Sequence, residues 1–323
     1  PNGDVVALAG GMGEKESSLI FNRATQAVRP SGSSIKPLAV YAPALDMGLL
    51  TPATVFDDTP IDLNGSAWPK NSYGYYKGLT TVYEALEDSV NTIAVKVLRD
   101  LVTPNLSYQF LEERFGITSL ESGRTVNGEV KTDNALAPLA LGGLTDGVST
   151  YEMAAAYATF ANNGMYKDPR TYLKVTAVDT NGKETVLLEN TSSSEAVLKE
   201  STVYYINTML QNVIKSGTGH DANFSGMTIA GKTGTTTSNN DKWFVGYSPY
   251  YTAAVWVGYD QQERIPSNSY LAARLWKQVM EPLHGNLENT GFKTPDNLVN
   301  QTICLDSGMI ATDACALDPR GKR

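Results

Sequence analysis

Three runs late in the chain constrain its fold more than any other feature. Met227-Thr228-Ile229-Ala230-Gly231-Lys232, Trp243-Phe244-Val245-Gly246-Tyr247 and Tyr251-Thr252-Ala253-Ala254-Val255-Trp256-Val257-Gly258-Tyr259 are rich in aromatic and β-branched residues and are parted by turn-forming segments. That is the composition of strands. Neighbouring runs pair in sequence order, so an antiparallel meander is predicted here, closed by a helix over Ala272 to Met280. An early apolar run stopped by glycines, Val5 to Gly11, is expected to add a buried strand to the same layer.

The middle of the chain carries helical periodicity. Val82, Leu86, Val90, Ile93, Val97 and Leu101 recur at spacings of three and four from Thr80 onward, with Ser89-Val90-Asn91 at a break inside the pattern. Further helices are predicted from Ser149 or Thr150 to Gly164, with Tyr157 and Phe160 on one side, and from Ser201 to Lys215. Around Asn181-Gly182, Tyr172 to Asp179 and Glu184 to Leu188 read as a hairpin. Residues 51–80, rich in Pro, Gly, Asn and Tyr, read as a long surface loop that walls a site. The fold class is therefore α/β (α+β). A central antiparallel sheet flanked by helices, from residues 1–30 and about 220–285, faces a mostly helical lobe across a cleft.

Charge and end composition remove several functions. With 26 Lys plus Arg against 34 Asp plus Glu the net charge is −8, so no general basic field attracts nucleic acid. No apolar stretch approaches the ~18 residues of a membrane span, and Pro1-Asn2-Gly3-Asp4 lacks the zones of a signal peptide. A targeting or anchoring segment upstream of this sequence is expected. The two cysteines, Cys304 and Cys315, lie close together; they suit a local disulfide in an exported protein, or are two free thiols. His220 and His284 are the only histidines, with no zinc-ligand spacing and no metal implied. No Gly-x-Ser-x-Gly elbow is present, so serine chemistry here needs a base other than histidine.

Lysine can be that base when burial and neighbouring cations depress its pKa. In Ser33-Ser34-Ile35-Lys36, preceded by the chain break Pro30-Ser31-Gly32, serine capping and Pro37 signal a helix start. Residues three apart on a helix share a face, so Lys36 is placed to take the Ser33 proton. A capping serine with a solvated lysine is the alternative, because Ser-x-x-Lys arises by chance roughly once in a chain this long. Pro43 is expected to kink the helix. Ser89 and Asn91 offer a proton-passing hydroxyl and an amide that holds a substrate amide; Ser238-Asn239-Asn240 matches the same pattern but lies in a turn.

Lys232-Thr233-Gly234-Thr235-Thr236 ends a strand with a cation and hydroxyls, suited to an anion, with Gly234 expected to let a ligand approach the backbone. Gly226 to Thr233 also spells Gly-x-x-x-x-Gly-Lys-Thr, the phosphate-loop pattern. That loop follows an apolar strand and opens a helix, and neither flank fits.

In order, Ser33-x-x-Lys36, Ser89-x-Asn91 and Lys232-Thr233-Gly234 resemble the motif set of the penicilloyl-serine transferases, which are the penicillin-binding proteins and serine β-lactamases. Flanking segments narrow this. Phe21-Asn22-Arg23-Ala24-Thr25-Gln26, Ala156-Tyr157-Ala158-Thr159-Phe160-Ala161-Asn162, Gly231 to Thr236 and Val255-Trp256-Val257-Gly258-Tyr259-Asp260 resemble the transpeptidase domain of class A penicillin-binding proteins, up to about Pro282. The Cys304 to Cys315 segment resembles C-terminal extensions of Gram-positive members. A transpeptidase domain over 1–289 and a tail over 290–323 follow.

The resemblance implies a D,D-transpeptidase that cross-links peptidoglycan stem peptides outside the cytoplasmic membrane and is trapped by β-lactams. It implies no cofactor, no nucleic acid, and membrane attachment only through an upstream anchor. By it Ser33 is the nucleophile, Lys36 the base, Ser89 the proton relay and Asn91 a peptide clamp. Lys232, Thr233 and Thr235 bind the terminal carboxylate, beside Gly234, and help to keep Lys36 neutral. The backbone N–H groups of Ser33 and Thr235 form the oxyanion hole. A serine β-lactamase shares all three motifs but needs an activated water, commonly through an extra carboxylate that the sequence does not identify. A noncatalytic β-lactam sensor is the reading from another class. Class A members also carry a glycosyltransferase domain, absent here, so this sequence alone is not expected to polymerise glycan.

Overall fold

The computed structural model describes residues 2–63, 65–266 and 270–319. The late meander forms in sequence order. Strands Ala230–Thr235, Lys242–Tyr247 and Thr252–Val257 pair antiparallel, with Lys232 opposite Val245 and Trp243 opposite Trp256. The first strand starts at Ala230 rather than Met227 because Met227 and Ile229 are drawn into a small core with Trp276 and Met280.

Alternation along the central strand builds two cores. Phe244 packs against Trp276 of the Leu271–His284 helix, ring centroids 5.2 Å apart, while Trp243, Val245 and Tyr247 enter the larger core on the other face. There Tyr157 of the Thr150–Ala161 helix meets Tyr247 edge-on at 6.3 Å. Burying one such side chain contributes roughly 1.5–3 kcal/mol. With helix on both faces, every residue of Lys242–Tyr247 is buried.

The N-terminal run departs from expectation. Val5 to Gly11 forms no strand, and Val6 and Leu8 are exposed. The run is tied only at its ends, by the Val5 N–H to the Arg170 carbonyl and the Gly10 carbonyl to the Arg23 N–H. An apolar run without a ladder partner has no reason to remain a strand. Two of the family-like flanks do meet: the Arg23 guanidinium pairs with the Asp260 carboxylate.

The Ser149 cap forms a reciprocal capping box with Glu152, and Glu200–Lys215 and the hairpin Lys174–Val178 with Glu184–Glu189 are as predicted. The 51–80 stretch is more ordered than a loop: Val55–Asp58 pairs with Gly78–Thr81, and Ile61–Leu63 with Ser66–Trp68. The tail stays mostly exposed but touches the body at several points. Phe292 stacks at 5.4 Å on Tyr247, Lys293 pairs with Glu200 at 2.6 Å, and the Gly308 backbone lies against the Ala53 carbonyl. His284 is a buried structural residue, its Nε2 2.7 Å from Ser248 Oγ and its Nδ1 2.6 Å from the Met280 carbonyl.

Candidate active site

The Ser33 turn differs from the predicted α-helix in a way that serves the chemistry. Gly32–Ile35 is a 3-10 turn, followed by a π turn over Pro37–Tyr41 and an α-helix over Ala42–Asp46. Lys36 follows this turn directly as its C-cap, its N–H bonded to the Ser33 carbonyl. Pro43 causes no break, because it falls in the first turn of the last segment, where its missing N–H is no loss. Ser31 does not cap the turn through its side chain; its carbonyl instead accepts the Ser34 hydroxyl at 2.8 Å. Two donors from the larger core hold the turn from outside: Tyr157 OH to the Ser34 carbonyl at 2.5 Å, and Trp243 Nε1 to the Pro30 carbonyl at 3.0 Å.

Ser89 sits at the predicted break. The Val82–Glu87 helix ends with the Val90 N–H bonded to the Ala85 carbonyl and the Ser89 N–H to the Leu86 carbonyl. This is a Schellman termination, which places its left-handed residue at position 89. Glycine is the usual occupant, yet the residue is serine at φ +58°. The strained backbone turns both the Ser89 carbonyl and its hydroxyl toward Lys36 and lets a second helix, Asn91–Val97, begin at once.

Lys36 Nζ lies 2.8 Å from the Ser89 carbonyl, 3.3 Å from the Val90 carbonyl, 3.4 Å from Ser89 Oγ and 2.7 Å from Asn91 Oδ1. No hydrogen bond joins it to Ser33 Oγ, which corrects the direct contact expected from spacing alone. Lys36 is fully buried, and that burial, with the nearby Lys232 cation, pushes its pKa well below the ordinary lysine value.

Lys232 is likewise buried, and burial lowers it to about 7 against a raising influence from Asp88. Among the described residues its Nζ makes one hydrogen bond, a long one of 3.4 Å to the Thr233 carbonyl. A buried cation with so little compensation favours an incoming anion. Thr233 Oγ1 bonds Thr218 Oγ1 at 2.9 Å, and Thr235 is exposed at the end of this edge strand.

Gly234 has a different role from the one expected. A Cβ there would lie 2.1 Å from the Ser31 carbonyl oxygen. Its absence lets the nucleophile turn, rather than a ligand, approach the strand. Gly142, at φ +75°, closes the other side, where a Cβ would stand 1.9 Å from the Gly32 carbonyl oxygen. Backbone contact between strand and turn brings Thr235 N against Gly32, beside the Ser33 N–H at the start of the 3-10 turn.

Lys36 thus meets Ser89 and Asn91 directly, Lys232 lies near enough to act on it electrostatically, and Gly234 abuts the turn that carries Ser33. Sequence reasoning missed Thr218, whose only signal is its place in Gly217-Thr218-Gly219 after a helix, and Gly142. It also missed Asn71, whose Oδ1 accepts the Asn91 N–H at 2.9 Å. Asn239 of the second Ser-x-Asn match accepts Lys242 Nζ at 2.8 Å in the turn between strands. The Gly226 to Thr233 pattern runs into a strand and opens no helix. Of the two alternatives for the cysteine pair, the structure has the free thiols, close enough for one to hydrogen-bond the other. Cys304 and Cys315 are free thiols, with Cys304 engaged by Ser307 and Cys315 Sγ by Thr312.

The model of the penicillin binding protein transpeptidase domain matches residues 1–281. Penicillin-binding protein 1A of Clostridium botulinum is 40% identical over 99% of this chain and 38% of its own length. The same-named protein of Clostridium perfringens is 34% identical over 99% and 38%. This chain therefore spans about two fifths of the length of these relatives. Among solved structures, penicillin-binding protein 1A of Haemophilus influenzae superposes with TM-score 0.74 at 25% identity, covering 94% of this chain and 48% of that one. PonA1 of Mycobacterium tuberculosis, in complex with penicillin V, gives 0.71 at 26%, covering 87% and 76%. With its three motifs brought together around Lys36 and the Ser33 turn, and this match along most of its length, the chain belongs to the penicillin-binding protein transpeptidase family.

Proposed function

We propose that this domain is a serine D,D-transpeptidase that joins peptidoglycan stem peptides through an acyl-enzyme on Ser33. The observation that carries the reading is Lys36: a buried amine, depressed by burial and by Lys232, one turn from a serine and hydrogen-bonded to Ser89 and Asn91.

In the forward step Ser33 Oγ attacks the carbonyl between the two terminal D-alanines while its proton passes to the Lys36 lone pair. The missing Ser33–Lys36 hydrogen bond is of the kind that tightens only when substrate is present. The N–H groups of Ser33 and Thr235 receive the developing oxyanion. Collapse breaks the C–N bond, and Ser89 carries a proton from Lys36 to the departing D-alanine amine. Asn91 Nδ2, now donating to the Lys70 carbonyl at 2.8 Å, is the group that meets the peptide backbone. Lys232, with Thr233 and Thr235, receives the terminal carboxylate. An anion there restores the Lys232 charge, and that charge holds Lys36 neutral. An amine from a second stem peptide then takes the acyl group. A β-lactam acylates Ser33 in the same way.

This function places the domain on the outer face of the bacterial cytoplasmic membrane, attached through a segment upstream. Among the described residues no helix is long and apolar enough to cross a membrane.

The test is mass spectrometry after incubation with penicillin, followed by assay with stem peptides and an amine acceptor. A stable adduct on Ser33 and amine-dependent cross-linking are expected. Rapid drug turnover, or labelling without transfer, would overturn the transpeptidase reading.

A further inference from the structure

Asp58 is a fully buried carboxylate with no cationic partner among the described residues. Four groups donate to it: Asn71 Nδ2 at 2.8 Å, the Lys77 N–H at 2.8 Å, Tyr73 OH at 3.1 Å, and the Thr92 hydroxyl. Burial alone would raise its pKa; the donations of Thr92, Lys77, Asn71 and Tyr73 outweigh it and hold the group below the usual carboxylate range. An ionised carboxylate accepts only. It therefore dictates which way round the Asn71 amide lies, with Nδ2 toward Asp58 and Oδ1 toward Asn91.

The Asn91–Val97 helix makes this orientation matter. Its N-cap is Val90, which has no side-chain acceptor, so the first N–H of the helix would be an orphan. Asn71 Oδ1 accepts that N–H at 2.9 Å, and Asp58 grips the next residue through the Thr92 hydroxyl. Asp58 thus fixes two consecutive residues of the helix start, and the first of them presents Oδ1 to Lys36 Nζ at 2.7 Å.

We propose that Asp58, acting through Asn71, is a positioning residue for acylation: it sets the Asn91 amide against Lys36 and so aims the general base. The inference rests on the serine transferase reading and extends the site to the Val55–Asp58 strand and residues 70–77, which no motif covers. A misaimed base costs roughly 10- to 100-fold in rate.

The test measures the penicillin acylation rate at saturating drug, and the melting temperature, for wild type, Asp58→Asn, Asn71→Ala and the swap Asp58→Asn/Asn71→Asp. Leu111→Ala, a core truncation outside the site, is the comparison for stability loss alone. Wild type is labelled first, and no adduct on Ser33 would sink the parent reading. Given that adduct, Asp58→Asn is expected to acylate about 10- to 100-fold more slowly while folded, and Leu111→Ala at the wild-type rate. The swap, which restores an acceptor for the Asn91 N–H, is expected to recover most of the loss. Should Asp58→Asn fail to fold, Asn71→Ala carries the same criterion, because it leaves Asp58 its other donors. Acylation by the folded single variants within about twofold of wild type, a swap no faster than Asp58→Asn, or an equal rate loss in Leu111→Ala would each overturn the proposal.

Discussion

Replacing Ser89 by glycine should make this protein more stable and less reactive. The Schellman end of the Val82–Glu87 helix requires a left-handed residue at 89, and serine fills it at φ +58°. A side chain in that region costs on the order of 1–2 kcal/mol. Glycine removes the cost, but its freer unfolded chain returns about 0.4–1 kcal/mol of the gain. The net is about 0.5–1 kcal/mol, which in a chain of this size raises the melting temperature by roughly 1–1.5 °C. The hydroxyl lost with the substitution stands 3.4 Å from Lys36 Nζ and is the proposed relay. Acylation should therefore slow by about 100-fold or more, the usual worth of a positioned proton-transfer group. Ser89→Ala separates the two effects, since it removes the hydroxyl and keeps the strain. Both variants should label equally slowly with fluorescent penicillin, with only glycine melting higher. A Ser89→Gly protein that melts no higher than Ser89→Ala would refute the strain argument. Wild-type labelling of either variant would remove Ser89 from the proton path.

Three further outcomes are expected. Gly234→Ala must open the strand from the nucleophile turn, since its Cβ would stand 2.1 Å from the Ser31 carbonyl oxygen. A shift of about 1 Å costs on the order of 100-fold in acylation, and unchanged labelling with unchanged melting would contradict it. Lys36→Met should abolish Ser33 labelling with the circular dichroism spectrum retained, and full labelling would exclude Lys36 as base. Lys232 is held near 7 when folded, against an ordinary value of 10.5. The unfolded chain binds the extra proton between those values, so stability should rise with pH from about 7 to 9.5 relative to Lys232→Met, as melting curves across that window would show. A flat difference would mean that Lys232 is not depressed.

The strand and helix pattern was legible wherever one periodicity dominated. The meander, the Ser149 cap and the Glu200–Lys215 helix follow from side-chain spacing that matches how they pack. Val5 to Gly11 misled because an apolar run specifies a strand only when an edge is there to receive it. Of the site, the residues proposed to act were legible and their supports were not. Ser33, Lys36 and Ser89 lie in recognisable tripeptides and tetrapeptides. Asn71, Thr218 and Gly142 come from distant segments, and only folding brings them to Asn91, Thr233 and Gly32. The close approach at Gly234 was read correctly as a demand for no side chain, but the object approaching is the protein's own backbone. The Ser33 helix was misread for a related reason: its 3-10 and π turns lie where Tyr157 and Trp243 bond the Ser34 and Pro30 carbonyls, contacts from distant segments that no local propensity records.

The returning tail bears on where this enzyme domain can be cut. The recognisable family pattern stops at residue 281, yet Asn289 Oδ1 accepts the Thr228 N–H at 3.0 Å, Phe292 covers Tyr247, and Gly308 rests on the strand-leading carbonyl of Ala53. A protein trimmed to the pattern would bare an aromatic ring from the middle of the sheet and release a buttress of the Val55–Asp58 segment. The clostridial relatives match 99% of this chain, past the end of the domain pattern, so expression designs should keep the tail with the domain.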